Sequence, residues 1–188
     1  MKNKNDKLRK KIIASTTAII VQQGISSVST IKVGQQSGTT QSNVYSYFKN
    51  KKDLLIGTFK YHQTLLTNTL KANKVSTDKP VEYINSLFQM LLEFGETNSQ
   101  SIQLITSFRS QPDLRPSLPT ISDSQYFTEL FAVLEKYQSE KILKEYNLEF
   151  LADSCFLIVS HYIVQTKLQD SVSQADVIKI LDDLVLKQ

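Results

Sequence analysis

Residues 37–55 read S-G-T-T-Q-S-N-V-Y-S-Y-F-K-N-K-K-D-L-L, and the reading of the whole chain turns on them. Gly38 permits a turn with positive φ, and Thr40 is placed to cap a helix running from Gln41 to about Phe48. In that helix Val44 and Phe48 lie four apart and share the inward face. Gln41, Ser42, Asn43, Tyr45 and Ser46 are left to face outward, and Lys49, Lys51 and Lys52 follow. A tight turn, a short helix with polar and aromatic groups on one side and a lysine cluster form the pattern of a helix-turn-helix. In such a unit the second helix enters the DNA major groove.

The flanking sequence supplies the scaffold. Leu8, Ile12, Ile13, Ile19 and Ile20 follow helical spacing from about Asp6 to Gln23, and Gly24 closes that helix. A second helix is expected from Ser29 or Thr30 to about Ser37. After Asn50 a long helix should reach roughly Ala72. Pro80 opens a fifth helix, a sixth is expected near Ser99–Arg109, and Gln111–Pro119, with three of the four prolines, must be a loop. Further helices are expected at about Ser122–Tyr137, Leu148–Gln169 and Gln174–Leu186, the last with Ser173 and Asp176 at capping-box spacing. No convincing alternating strand pattern appears. The expected class is all-α with about nine helices: an N-terminal three-helix DNA-binding domain (1–50) and a C-terminal helical ligand-binding and dimerisation domain (51–188).

Composition agrees with long helices and short connections, since the 188 residues include only 5 Gly and 4 Pro. The net charge of +4 hides an asymmetry. Residues 1–60 carry eleven Lys and Arg against two Asp and Glu, net +9, while 61–188 carry eleven against sixteen, net −5. A basic head on an acidic body suits a nucleic-acid contact confined to the first third. The basic residues of the first eleven positions read as a loosely attracted tail. One cysteine, Cys155, excludes an internal disulfide and a multi-cysteine zinc site. The N-terminus lacks a signal-peptide pattern, and the apolar run Leu148–Val164 contains Glu149, Asp153 and His161, so a buried helix is expected rather than a membrane span. Two separated histidines and no nucleophile or metal arrangement argue against an enzyme. The expectation is a cytoplasmic protein with no metal and no cofactor.

Base reading needs donors and acceptors on an exposed helix face, and phosphates need cations, hydroxyls and helix-start amides. The candidate DNA-binding residues are therefore Thr30, Thr40, Gln41, Ser42, Asn43, Tyr45, Ser46, Tyr47 and Lys51.

The order Gly24, Thr30-Ile31-Lys32-Val33-Gly34, Ser37-Gly38-Thr39-Thr40, Val44-Tyr45-Ser46-Tyr47-Phe48, Lys51, Leu54-Leu55 resembles the TetR/AcrR family of bacterial transcriptional regulators. The resemblance covers residues 7–56 and rests above all on Y-x-Y-F-x-x-K-x-x-L from Tyr45 to Leu54. It implies an Ω-shaped homodimer, most often a repressor, with an effector pocket in the C-terminal part and a dimer interface from the last two long helices. By position, Thr40, Gln41, Ser42, Tyr45 and Tyr47 match motif positions that commonly contact DNA, and Lys51 matches the lysine that starts the helix linking the domains. Gly34 stands where the family usually has alanine, Thr39 replaces an apolar residue of the turn, Ser42 a frequent glycine, and Val28 a frequent threonine. These departures bear on base contacts rather than on fold.

In the body, apolar helices around the proline loop suggest a small-molecule cavity. Its candidate lining is Phe59, His62, Leu66, Tyr83, Leu87, Met90, Phe94, Ile105, Phe108, Tyr126, Phe127 and Phe131. The last two helices carry apolar stripes, Cys155, Ile158, Val159 and Tyr162 on one and Val177, Ile180, Leu181 and Leu184 on the other, which suit a four-helix dimer bundle. The expected partners are double-stranded DNA with a palindromic operator, a second copy of the chain and an unidentified small-molecule effector, with no membrane. The resulting reading is a ligand-responsive repressor. The competing one is an activator or architectural DNA-binding protein without an effector.

Overall fold

In the computed structural model, residues 2–120, 123–165 and 172–187 are described, apart from the side chains of 2–5 and 165. Nine α-helices occur among them: α1 (Lys2–Gln23), α2 (Thr30–Gln36), α3 (Gln41–Tyr45), α4 (Lys51–Leu70), α5 (Pro80–Thr97), α6 (Ser99–Arg109), α7 (Gln125–Ser139), α8 (Leu148–Gln165) and α9 (Gln174–Val185). Short 3-10 turns lie at Ile25–Ser27 and, inside the proline loop, at Arg115–Ser117. Strand-like pairing among the described residues is limited to one isolated bridge, Leu143 with Leu186. The all-α expectation holds.

Helix ends fall where local chemistry puts them. Ser29 caps α2 by accepting from the Lys32 amide, and Thr40 caps α3 by accepting from Asn43, each at 3.2 Å. Ser173 and Asp176 form the expected capping box on α9. Helix α3 stops at Tyr45 rather than Phe48, where the Tyr47 amide tightens onto the Val44 carbonyl three residues back at 3.1 Å. Helix α1 already begins at Lys2, so the basic N-terminus is helical rather than a loose tail. The expected starting residue of α7, Ser122, and the stretch 166–169 assigned to α8 lie outside the described residues.

The chain forms two compact units, residues 1–64 with 100–118 and residues 65–99 with 119–188. The sequence reading divides the chain at residue 50, whereas packing puts the first part of α4 and most of α6 with the N-terminal helices. That first unit buries Ile12, Ile13 and Ile19 from α1, Val33 from α2, Val44 from α3, Leu54 and Phe59 from α4, and Ile102, Ile105 and Phe108 from α6. Each such burial contributes about 1.5–3 kcal/mol. The Phe59 and Phe108 rings meet at 5.6 Å between centroids.

In the second unit α5, α8 and α9 pack against one another and α7 packs on α8. Ile84, Leu92, Tyr137, Leu151, Val159 and Leu181 are among its interior residues. The Tyr137 hydroxyl donates to the Thr77 carbonyl at 2.6 Å, pinning the connection before α5. The C-terminal residues are tied back by Lys187 N–H donating to Ile142 O and Lys144 N–H to Val185 O, both 2.9 Å. No helix among the described residues is long and apolar enough to cross a membrane, and no cluster of metal-ligating side chains occurs among them.

Candidate nucleic-acid interface

The close approach of α2 and α3 sets up the site. Gly38 takes φ 70° at the turn, and the Thr39 amide donates to the Gly34 carbonyl at 2.9 Å. A Cβ on Gly34 would sit 3.1–3.2 Å from backbone atoms of Thr39, Thr40 and Gln41. Glycine at 34 therefore lets the turn lie closer to α2 than the more usual alanine would. Val44 and Phe48, at 0 and 3% exposure, anchor α3 as expected. The Arg9 guanidinium lies over the Phe48 ring, 5.4 Å from its centroid.

With that face buried, Ser42, Asn43, Tyr45 and Ser46 are exposed and Gln41 and Tyr47 half-buried. Three of the polar groups form one network. The Gln41 amide nitrogen donates to Thr30 Oγ1 at 2.8 Å, and Thr30 Oγ1 donates to the Tyr45 hydroxyl at 3.2 Å. Asn43 is steadied by its amide nitrogen donating to Thr39 Oγ1 at 2.8 Å. With their amide nitrogens engaged, Gln41 and Asn43 have carbonyl oxygens to offer a base-edge donor such as adenine N6 or cytosine N4.

Thr30 is 5% exposed, and its hydroxyl accepts from Gln41 and donates to Tyr45. Thr40 and Lys51 are exposed as expected. The Lys51 ammonium reaches the Ser26 carbonyl at 3.3 Å, joining the start of α4 to the turn after α1. Lys49 and Lys52 are exposed beside it. One exposed feature was not singled out from sequence. Ile31, next to Thr30, is 55% exposed and, with Tyr45, forms the exposed large apolar surface of this unit. The Asp53 carboxylate accepts from the Lys49 amide at 2.9 Å, and the Asp53 amide donates to Asn50 Oδ1 at 2.8 Å, which caps α4 just after α3. An Asn-x-x-Asp spacing was the available signal.

Of the twelve candidate pocket residues, Phe59, His62, Ile105 and Phe108 are interior residues of the first unit. His62 is bonded on both ring nitrogens, to Thr17 and Ser101, and burial lowers its pKa to about 4. The other eight belong to the second unit. Leu66, Phe94 and Tyr126 are buried there, while Tyr83, Leu87, Met90, Phe127 and Phe131 are half-buried.

The eight candidate dimer residues are mostly spent inside the second unit. Cys155, Val159, Tyr162, Val177 and Leu181 are each at most 8% exposed, and Ile158 and Leu184 are half-buried. Burial pushes the Cys155 thiol up to about 12, so it stays protonated and inert. Ile180 alone of the eight is an exposed large apolar residue, at 51%. A different face of α8 is open: Phe150 at 72%, Leu157 at 52% and Val164 at 37% exposure.

Comparison with known proteins places this geometry. Residues 12–57 match the model of bacterial regulatory proteins, tetR family. A fatty acid metabolism regulator protein of Bacillus subtilis (strain 168) is 26% identical over 125 residues, which are 64% of this chain and 63% of that protein. The chain thus matches less than two thirds of that relative's length. A putative tetR family transcription regulator from Shewanella sp. PV-4 superposes with a TM-score of 0.81 at 14% identity, over 96% of this chain and 99% of that one. A TetR family transcription regulator from Marinobacter aquaeolei VT8 gives 0.80 at 15% identity, over the full length of both.

Proposed function

The chain belongs to the tetR family of bacterial transcription regulators, and from that premise we propose that it is a homodimeric repressor released from DNA by a small-molecule effector. The observation that carries the DNA-binding half is the outward face of α3, with Gln41 and Tyr45 held in register by Thr30. Two such heads would read half-sites about one helical turn, 34–36 Å, apart or a multiple of it. Lys49, Lys51, Lys52 and the amides at the starts of α2, α3 and α4 would hold phosphates.

Dimerisation is supported by the open stripe on α8. Phe150, Leu157 and Val164 are seven residues apart, so they share one line along the helix, and Ile180 on α9 adds a fourth exposed apolar group. Cys155, Val159, Tyr162, Val177 and Leu181 pack inside the second unit, which leaves Phe150, Leu157, Val164 and Ile180 to meet a partner copy.

The second unit would hold the effector. Binding there releases DNA only if the effector prefers a dimer geometry whose heads no longer match the operator, since equal affinity for both states shifts nothing. Similarity to a fatty acid metabolism regulator supports genes of fatty acid metabolism as the targets.

Electrophoretic shifts with genomic fragments test the reading. Sequence-selective binding is expected, and with about 6–8 neutralised phosphates log K should fall by about 0.9 per phosphate against log salt. Binding that is indifferent to sequence at physiological salt would remove the reading. A selective complex that no compound dissociates would favour the effector-independent alternative.

A further inference from the structure

The second unit encloses a hydroxyl without a hydrogen-bond partner among the described residues, that of Tyr126 on α7. Tyr126 is 9% exposed. Leaving such a group unbonded is costly, and most buried side-chain polar atoms in proteins do have a partner. Tyr137, three turns further along the same helix, obeys the rule through its bond to Thr77.

The surroundings say what would satisfy it. Tyr83 on α5 meets the Tyr137 ring edge-on at 6.3 Å, and after burial it is the second cause that raises the Tyr126 phenol. The Phe127 ring is 5.5 Å from that of Tyr126. Leu87 and Met90 continue the Tyr83 face of α5 at helical spacing, and both are half-buried. The Lys71 ammonium stands over the flat of the Tyr126 ring, 5.8 Å from its centroid, and its own side chain is exposed.

The structure assigns Tyr126 as the polar anchor of an effector site in the second unit, donating a hydrogen bond to an uncharged carbonyl oxygen on an otherwise apolar molecule. This rests on the effector reading above and narrows it to a ligand class: an ester, ketone, lactone or amide with an aliphatic or aromatic body. A carboxylate is disfavoured because burying it requires a paired cation at the acceptor position, whereas Lys71 offers its charge to the ring face. Burial also holds the Tyr126 phenol far above its ordinary range, so the proton needed for donation is present at any physiological pH.

The test compares full-length wild type with Tyr126→Phe, using methyl decanoate, decanoate and decane as probes. The readouts are calorimetric binding and release of an operator fragment. Methyl decanoate should bind wild type more tightly than decane or decanoate do. Tyr126→Phe should weaken the ester by about 3–10-fold, the range for one neutral hydrogen bond, and leave decane unchanged. Because the hydroxyl makes no bond among the described residues, the variant should melt at the same temperature as wild type or higher. Equal ester affinity in both proteins, with DNA still released, would overturn the anchor and leave the effector reading standing. Tighter binding of decanoate than of the ester would overturn the uncharged acceptor. If ester and alkane neither bind wild type nor release DNA, the ligand class falls along with the anchor. A substantially lower melting temperature of the unliganded variant would show that the hydroxyl serves the fold instead.

Discussion

The Nε2 atom of His62 on α4 lies 2.8 Å from Oγ1 of Thr17 on α1. Thr17 already donates its proton to the Ile13 carbonyl at 2.9 Å, so in this pair the histidine must donate. Its Nδ1 then accepts from the Ser101 hydroxyl of α6, at 2.8 Å. One neutral imidazole with a defined tautomer thus ties three helices of the first unit together.

That network gives a pH dependence with a definite sign. Burial lowers the His62 pKa from 6.5 to about 4, so between those values the unfolded chain binds the extra proton and the folded one does not. The contribution is fully present above pH 6.5 and is lost as pH falls toward 4, up to a few kcal/mol by linkage. Urea unfolding of wild type and His62→Gln across pH 4–7 should show a steeper acid loss for wild type. Parallel profiles would rule out His62 as the source.

Thr30 should matter to DNA affinity although it is buried. Thr30→Val keeps the volume but removes the group that accepts from Gln41 and donates to Tyr45. Gln41→Ala should cost about 1–3 kcal/mol of binding if it reads a base. Thr30→Val should weaken operator binding about 3–10-fold, the effect of one neutral hydrogen bond. In a double-mutant cycle the Thr30 effect should shrink once Gln41 is alanine. Strict additivity in quantitative shifts would mean that Thr30 acts through something else.

The fold was legible where its determinants are local. Ser29 and Thr40 act as caps on the next turn of chain, Gly38 needs only its own φ, and Pro80 and Ser173 mark helix starts without help from afar. The site was legible in part for the same reason: the exposed side of α3 follows once Val44 and Phe48 are placed inward. What escaped depends on distant partners. The Thr30 hydroxyl is engaged by Gln41 and Tyr45 from the next helix, and the two partners of His62 are 45 and 39 residues away. Helix α8 carries two apolar stripes, Leu151, Cys155 and Val159 on one side and Phe150, Leu157 and Val164 on another. Periodicity cannot tell which stripe packs the monomer and which stays open.

The junction of α3 and α4 leaves no space for a methyl group at Gly57. A Cβ there would stand 2.6 Å from Cε1 of Phe48, whose ring is 3% exposed and has the Arg9 guanidinium above it. Alanine should gain about 1 kcal/mol of helix propensity, against about 1–3 kcal/mol for overpacking. Gly57→Ala is therefore expected to lower the melting temperature and, by shifting Phe48 and with it α3, to weaken operator binding. Adding Phe48→Leu should recover part of the stability. A rise in melting temperature for Gly57→Ala alone would show that the ring yields at little cost.

The two stripes of α8 make opposite predictions for the same kind of substitution. Leu157 is 52% exposed while Val159, two residues on, is at 0%. Aspartate at 159 buries an unpaired charge inside the second unit, a change costing several kcal/mol, and should leave little folded protein. Aspartate at 157 meets water in the monomer, so helical content and the monomer's unfolding profile should be retained. In a two-fold seam, however, the same substitution sets a carboxylate against apolar groups of the second copy. Leu157→Asp should therefore sediment as a folded monomer at concentrations where wild type is a dimer. Its operator binding should drop sharply, because two half-sites joined through one dimer give an avidity that separate heads lack. A Leu157→Asp protein that remains dimeric and binds operator like wild type would place the interface elsewhere.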